Sequence, residues 1–152
     1  MIKVYTRDGC SYCDKAKAIL ENFNTRYEEI KIGVDITRDK VVEMFPDRKV
    51  LPIITDDDYC IGHSDDLVPY LAKLADISKL KYNLSSRVCQ VTFTKSNGEQ
   101  RVMNCTTAAN IVPSEKHPTN KRTVLNENVV RAFDVDINEW RSFNKHSVIS
   151  WQ

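Results

Sequence analysis

The sequence predicts an α/β domain followed by a small all-β, barrel-like domain. Three observations lead there. Strand and helix patterns follow the order β-α-β-α-β-β-α within the first 80 residues, an α/β layer order. After residue 86, apolar and polar residues alternate in two runs around Asn97-Gly98, a strong hairpin signal. The charge balance also reverses. Residues 1–80 hold 12 Lys/Arg against 15 Asp/Glu, a net of −3, whereas residues 81–152 hold 10 against 6, a net of +4. Two units with different partners fit that asymmetry.

Each element has a local reason. "IKVYT" (2–6) alternates and is rich in β-formers, and "RYEEIKI" (26–32) reads as a second strand. Between them Ala16, Ile19, Leu20 and Phe23 follow helical spacing, with Lys15, Lys17 and Glu21 on the other side. "DITRDKVVEMF" (35–45) opens with cap candidates Asp35 and Thr37 and is stopped by Pro46. "VLPII" (50–54) and "YCI" (59–61) form a hairpin about "DDD" (56–58). Ser64 caps a last helix with Leu67, Tyr70, Leu71 and Leu74 on its apolar face. The pattern weakens over 75–86. The first domain is therefore set at 1–78, a linker at 79–86 and the second domain at 87–152. In the second domain, strands are expected in "VVRAFDVD", "EWRSF" and "HSVISW", with a long polar loop over 107–128 and no helix.

No apolar run approaches the roughly 18 residues that cross a bilayer. The first residues lack the apolar core of a secretory signal, so no membrane and a cytoplasmic setting are expected. The five cysteines (Cys10, Cys13, Cys60, Cys89 and Cys105) make no regular disulfide framework. Thiols in a reducing compartment point to metal binding, catalysis or burial.

"YTRDGCSYCDKAKAIL" (5–20) concentrates the chemistry. A zinc site usually needs a second ligand pair, but Cys89 and Cys105 fall in the other half, and His63, His117 and His146 are scattered. Two buried structural cysteines are a second alternative. A redox pair fits the position better. Cys10 stands where a strand ends and a helix begins, so unpaired N–H groups and the positive end of the helix face its sulfur. Such surroundings bring a thiol from about 8.5 to as low as roughly 3.5–7.5. Arg7 adds positive charge, and Cys13, one turn on, can resolve a mixed disulfide.

With "CSYC", "LPII" and "IGHSDDL" at these separations, residues 1 to about 75 resemble the glutaredoxins, and are similar to phage members of that family. The resemblance implies a thioredoxin-like fold and glutathione as reductant, with no tightly bound cofactor. It implies that Cys10 attacks and Cys13 closes the internal disulfide. It makes Pro52 a cis-proline and Leu51 the strand-like partner of the glutathione cysteine. Ser64 and Asp65 would meet the γ-glutamyl carboxylate with backbone N–H groups, and Asp66 its amine. Arg7 and Lys49 would hold the glycine carboxylate, and Tyr12 would flank the sulfur. The client would be a disulfide-bearing protein, with ribonucleotide reductase the family's expectation for a phage. The sequence departs from the family in three places. His63 stands where a second glycine is common and would crowd the groove. Val50 replaces a frequent Thr. Pro69 is expected to bend the last helix away from Asp65. The CSYC form leaves open a second function, a glutathione-ligated [2Fe–2S] cluster held between two subunits with Cys10 as ligand.

Residues 87–151 resemble a small phage family of Sm-like, SH3-type β-barrels related to WYL domains, on "VTFTKSNGEQRVMNCT" and "FDVDINEWRSFNKHSVISW". Such barrels often bind nucleic acid or small anionic ligands, a likeness of fold alone. Here Lys95, Arg101, Lys121, Arg122, Arg131, Arg141 and Lys145 lie among Phe93, Trp140, Phe143 and Trp151. Either these aromatics are stacking platforms in a basic groove, with Arg141 the best contact, or they fill the barrel core. Cys89 and Cys105 are expected in that core, as is Cys60 in the first domain. A binding module that targets the redox half is the third functional reading.

Overall fold

In a computed structural model describing residues 1–119 and 126–152, the chain forms two compact units, Met1–Leu74 and Ala75–Gln152. The first contains β1 (Ile2–Thr6), α1 (Ser11–Asn22), β2 (Tyr27–Lys31), α2 (Arg38–Met44), β3 (Ile53–Asp56) and β4 (Tyr59–Gly62). Its last element is the beginning of α3 (Ser64–Leu84). The strands are ordered β2-β1-β3-β4. β1 pairs parallel with β2 through the α1 crossover, and antiparallel with β3. β1 therefore runs through the middle of the sheet, and its end delivers the chain to Cys10.

The helices begin and end for visible reasons. Thr37, of the two cap candidates, caps α2 by accepting the Lys40 N–H at 3.3 Å. Asp35 instead accepts the Lys31 N–H at 2.7 Å. α1 buries Cys13, Ala16 and Leu20, with Ile19 packed beside them. Phe23, expected on that face, is 52% exposed because it is the C-cap and has left helical geometry. "VLPII" begins as a strand only at Ile53, since Val50 and Leu51 bend and the Leu51–Pro52 peptide is cis.

The linker expected over 79–86 is corrected: residues 79–84 are the last turns of α3. Ile77, Leu80 and Leu84, at helical spacing, lie buried in the core of the second unit. The second unit is accordingly not free of helix. Its strands are β5 (Cys89–Thr94), β6 (Gln100–Thr106), β7 (Val129–Asp134), β8 (Glu139–Asn144) and β9 (Val148–Trp151). They form one sheet in the order β8-β7-β6-β5-β9. The β5–β6 turn has a Gly98 N–H to Lys95 carbonyl bond at 2.9 Å and Gly98 at φ 87. A single 3₁₀ turn, Lys145–Ser147, joins β8 to β9, which lie on opposite edges of the sheet. Neighbouring strands are about 4.8 Å apart, so edges of a flat five-stranded sheet would be roughly 19 Å apart. The four steps from Asn144 to Val148 span at most about 14 Å. The sheet must therefore curl toward itself, barrel fashion, although β8 and β9 are not paired with each other among the described residues.

In the first unit, the buried Tyr70 hydroxyl donates to Asp56 Oδ2 at 2.6 Å. Burial, then this bond, pushes the Tyr70 hydroxyl well above its ordinary value. The protonated form is favoured by folding, so its contribution is complete below about pH 10 and is lost as pH rises further, where the unfolded chain ionises first. Tyr70→Phe should cost about 1.5–3 kcal/mol, the range for a hydrogen bond to a charged group. Urea denaturation at neutral pH measures it, and an unchanged midpoint would contradict this role.

Candidate functional site

Gly9 turns the chain with φ 71, a left-handed conformation that suits glycine, and Cys10 follows at the N-cap of α1. With Cys10 extended at φ −100 and ψ 102, its Sγ accepts the Cys13 N–H at 3.2 Å. Cys10 and Cys13 are joined by a disulfide, with Cα atoms 5.2 Å apart. Cys10 is partly exposed, whereas Cys13 is 1% exposed. An incoming sulfur therefore reaches Cys10. Once the bond is reduced, the helix N-terminus favours charge on that same atom.

The segment 62–66 lies against α1 through the Lys15–Asp65 and Tyr12–His63 contacts. Gly62 has φ 126, and a Cβ there would collide with the Asp66 carboxylate. That carboxylate accepts the His63 N–H at 2.8 Å. Asp65 pairs with Lys15 Nζ at 2.7 Å, holding the Asp65 carboxyl below and the Lys15 ammonium above their usual ranges. α3 runs through Pro69 rather than stopping, though Pro69 cannot donate to the Asp65 carbonyl.

The His63 ring has an unexpected position. Its Nε2 lies 2.9 Å from the Leu51 carbonyl and its Nδ1 3.1 Å from Ser64 Oγ. A carbonyl only accepts, so Nε2 carries a proton; in the neutral ring Nδ1 then accepts from the Ser64 hydroxyl. The Tyr12 ring meets it edge-on, with centroids 5.2 Å apart. The main-chain acceptor expected for an extended ligand is thus already engaged by a side chain of the protein.

A cavity of about 700 Å³ gathers Arg7, Cys10, Tyr12, Lys49 and Leu51 from the expected set. It also brings in Arg38 and Arg48, which sequence reasoning missed. Their one signal was position: Arg38 opens α2, and Arg48 lies between its proline stop and the Leu51-Pro52 bend. Pro52 lines a smaller adjoining cavity with Lys49, Gly62 and His63. Ser64, Asp65 and Asp66 line neither and form the start of α3 beside it.

The second unit sorts its aromatics. Phe93 and Phe143 stack in the core at 5.1 Å, and Trp151 packs partly against that core. Trp140 donates to the Lys116 carbonyl at 2.7 Å and meets Phe133 edge-on. The cation over Trp140 is Arg131, at 5.2 Å; Arg141 is exposed opposite Ala132 on the alternate face of the strand. Lys121 and Arg122 lie outside the described residues. Cys89 and Cys105 are cross-strand partners, free and fully buried. Burial pushes both thiols up, Cys105 to about 12. Cys60 packs partly buried in the first unit. No helix among the described residues is long and apolar enough to cross a membrane.

A dithiol that closes across the first turn of a helix, with one sulfur accessible and the other buried, defines a thiol–disulfide oxidoreductase, here on a thioredoxin-like fold. Residues 2–59 match the family model Glutaredoxin, and residues 77–149 match WYL_2, Sm-like SH3 beta-barrel fold. Glutaredoxin 1 of Rickettsia bellii is 42% identical over 72 residues, covering 43% of this chain and 71% of that protein. Glutaredoxin 1 of Rickettsia conorii is 36% identical, covering 54% and 81%. Among solved structures, Glutaredoxin 1 from Francisella tularensis complexed with cacodylate is 29% identical, covering 49% of this chain and 95% of that one, at a TM-score of 0.43. The chain belongs to the glutaredoxin family. The second unit is similar to the Sm-like SH3 fold, and the matched residues, from 77 on, take in the end of α3.

After reduction, Cys10 should alkylate with a midpoint well below the usual thiol value of about 8.5. Cys89 and Cys105 should stay unmodified until the protein unfolds. Mass spectrometry of iodoacetamide adducts against pH reads both, and an ordinary profile for Cys10 would remove the argument from the helix terminus.

Proposed function

We propose that the first unit is a glutathione-dependent dithiol oxidoreductase that reduces protein disulfides and glutathione mixed disulfides. The observation that carries this reading is the Cys10–Cys13 disulfide at the α1 N-terminus, with Cys10 opening into a cavity that also presents Arg7 and Lys49. The Cys10 thiolate attacks one sulfur of the substrate disulfide, forming a mixed disulfide and releasing one thiolate. Cys13, losing its proton, attacks Cys10 Sγ; the second substrate thiolate leaves and two electrons have passed to the substrate. Two glutathione molecules, oxidised to their disulfide, restore the dithiol.

Glutathione fits the groove unevenly. Arg7 and Lys49 face the cavity where its glycine carboxylate would lie, and Tyr12 borders the sulfur. Leu51 meets its cysteine backbone through a carbonyl that the His63 ring already contacts, so the ring competes for it. Ser64 and Asp65 still offer a helix start to the γ-glutamyl carboxylate. Asp66 holds the His63 N–H with Oδ2 and has its other carboxylate oxygen for the amine. A reducing compartment such as the cytoplasm suits this cycle, and ribonucleotide reductase is the client that the resemblance to phage glutaredoxins favours. The barrel is the targeting module; its Arg131–Trp140 pair suits a nucleic-acid base.

Cys10→Ser should abolish glutathione-driven reduction of 2-hydroxyethyl disulfide, whereas Cys13→Ser should retain part of the monothiol deglutathionylation. Turnover persisting in Cys10→Ser would refute the mechanism. His63→Ala should lower KM for glutathione about threefold to tenfold, the effect of releasing one competing hydrogen bond. Steady-state kinetics at fixed disulfide measures it, and a raised KM would mean that the ring assists binding.

A further inference from the structure

We propose that the preferred disulfide substrate is an acidic polypeptide segment, seated in the cavity beside Cys10 and held by Arg38 and Arg48 as well as by Arg7 and Lys49. The proposal rests on the redox reading above and names its substrate class. It starts from how charge is distributed. The first 80 residues carry a net −3, and most of their lysines are neutralised locally. Lys3, Lys15, Lys17, Lys31 and Lys40 each face a carboxylate within 3.7 Å. Arg7, Arg38, Arg48 and Lys49 form no ion pair among the described residues, and all four line the cavity beside Cys10. Asp39 and Asp47, their sequence neighbours, are not among its lining residues.

Four exposed cations around one opening create a positive field in an acidic unit, and such a field selects and steers anions. One carboxylate of glutathione leaves most of it unmatched. The rest of the lining narrows the choice. Val41, Val42, Val50 and Ile53 make the wall partly apolar, which suits side chains of a polypeptide better than a bare polyanion. Cys10 can act only on a sulfur, so the anion has to carry a cysteine. On the opposite side of the groove the charged side chains and the Leu51 carbonyl already have partners: Asp65 has Lys15, Asp66 the His63 N–H and the Leu51 carbonyl the His63 ring. The unpaired side-chain charge therefore lies on the α2 side, and it is cationic.

The test uses the full chain and two peptide disulfides, identical except that Glu residues flanking the cysteine in one are Gln in the other. Each rate is divided by that peptide's uncatalysed reduction by dithiothreitol, which removes the effect of local charge on the peptide thiol itself. The acidic peptide should have a kcat/KM about tenfold higher at low ionic strength, the summed effect of two or three solvent-screened ion pairs. The ratio should approach one at high salt, and likewise in the Arg38→Gln, Arg48→Gln double variant. It should be unchanged in Arg26→Gln, which removes an exposed cation that does not line the cavity. The Arg38→Glu, Arg48→Glu variant should prefer the neutral peptide. Equal rates for the two peptides in the wild type, or an acidic preference that survives the double variant, would overturn the proposal. Reduction of neither peptide defeats the redox reading instead. Fluorescence anisotropy with Cys10→Ser protein then decides this inference alone: tighter binding of the acidic peptide supports it. Equal binding of both peptides, or stronger competition by a single-stranded oligonucleotide than by the acidic peptide, rejects it.

Discussion

Cys10 has to cap a helix with its own sulfur, and the first unit is arranged around that constraint. The Cys13 N–H to Cys10 Sγ contact at 3.2 Å requires extended backbone at Cys10 and helical backbone immediately after it. That change of conformation needs a strand to arrive at a fixed height, which β1 does from the middle of the sheet. It also needs a tight turn before the cysteine, which Gly9 supplies. Burial of Cys13, Ala16 and Leu20 then fixes the rotation of α1, so one sulfur faces outward and the other inward. The difference in exposure between two chemically identical residues comes from packing.

Around that pair the groove is asymmetric. The α3 side is internally satisfied: Gly62 admits the Asp66 carboxylate, which holds the His63 backbone, and the His63 ring reaches Leu51. The α2 side presents cations without carboxylate partners among the described residues. A substrate therefore meets an ordered hydrogen-bonded wall on one flank and an electrostatic attraction on the other. Attraction of the second kind acts at a distance and weakens with salt, whereas the first acts only on contact.

Much of this was legible in the sequence because local rules govern it. Periodicity located β1, α1 and the β5–β6 hairpin, and the spacing of Cys10 and Cys13 after a strand located the chemistry. The linker failed because Ile77, Leu80 and Leu84 bury against strands that come later in the chain, and the weak pattern between them resembled a loop. Phe23 failed because a cap residue keeps helical spacing in sequence but not in space. His63 was identified as crowding the groove, but its hydrogen bond to the Leu51 carbonyl depends on tertiary proximity across 12 positions of sequence. Arg38 and Arg48 were missed for the same reason: an exposed arginine is unremarkable until the fold places it beside three other cations.

The His63 ring has one more consequence. A groove with an empty carbonyl would leave a polar atom poorly solvated between turnovers and gain a full hydrogen bond when filled. Here the resting protein already has that bond, so a ligand donor shares the carbonyl with the ring or displaces it and gains less than a first bond would give. Main-chain contact then fixes the alignment of the incoming strand while adding little net affinity. Selectivity passes to whatever else the visitor carries, and a weak, readily reversed grip of this kind suits a carrier that must release each oxidised or reduced partner before meeting the next.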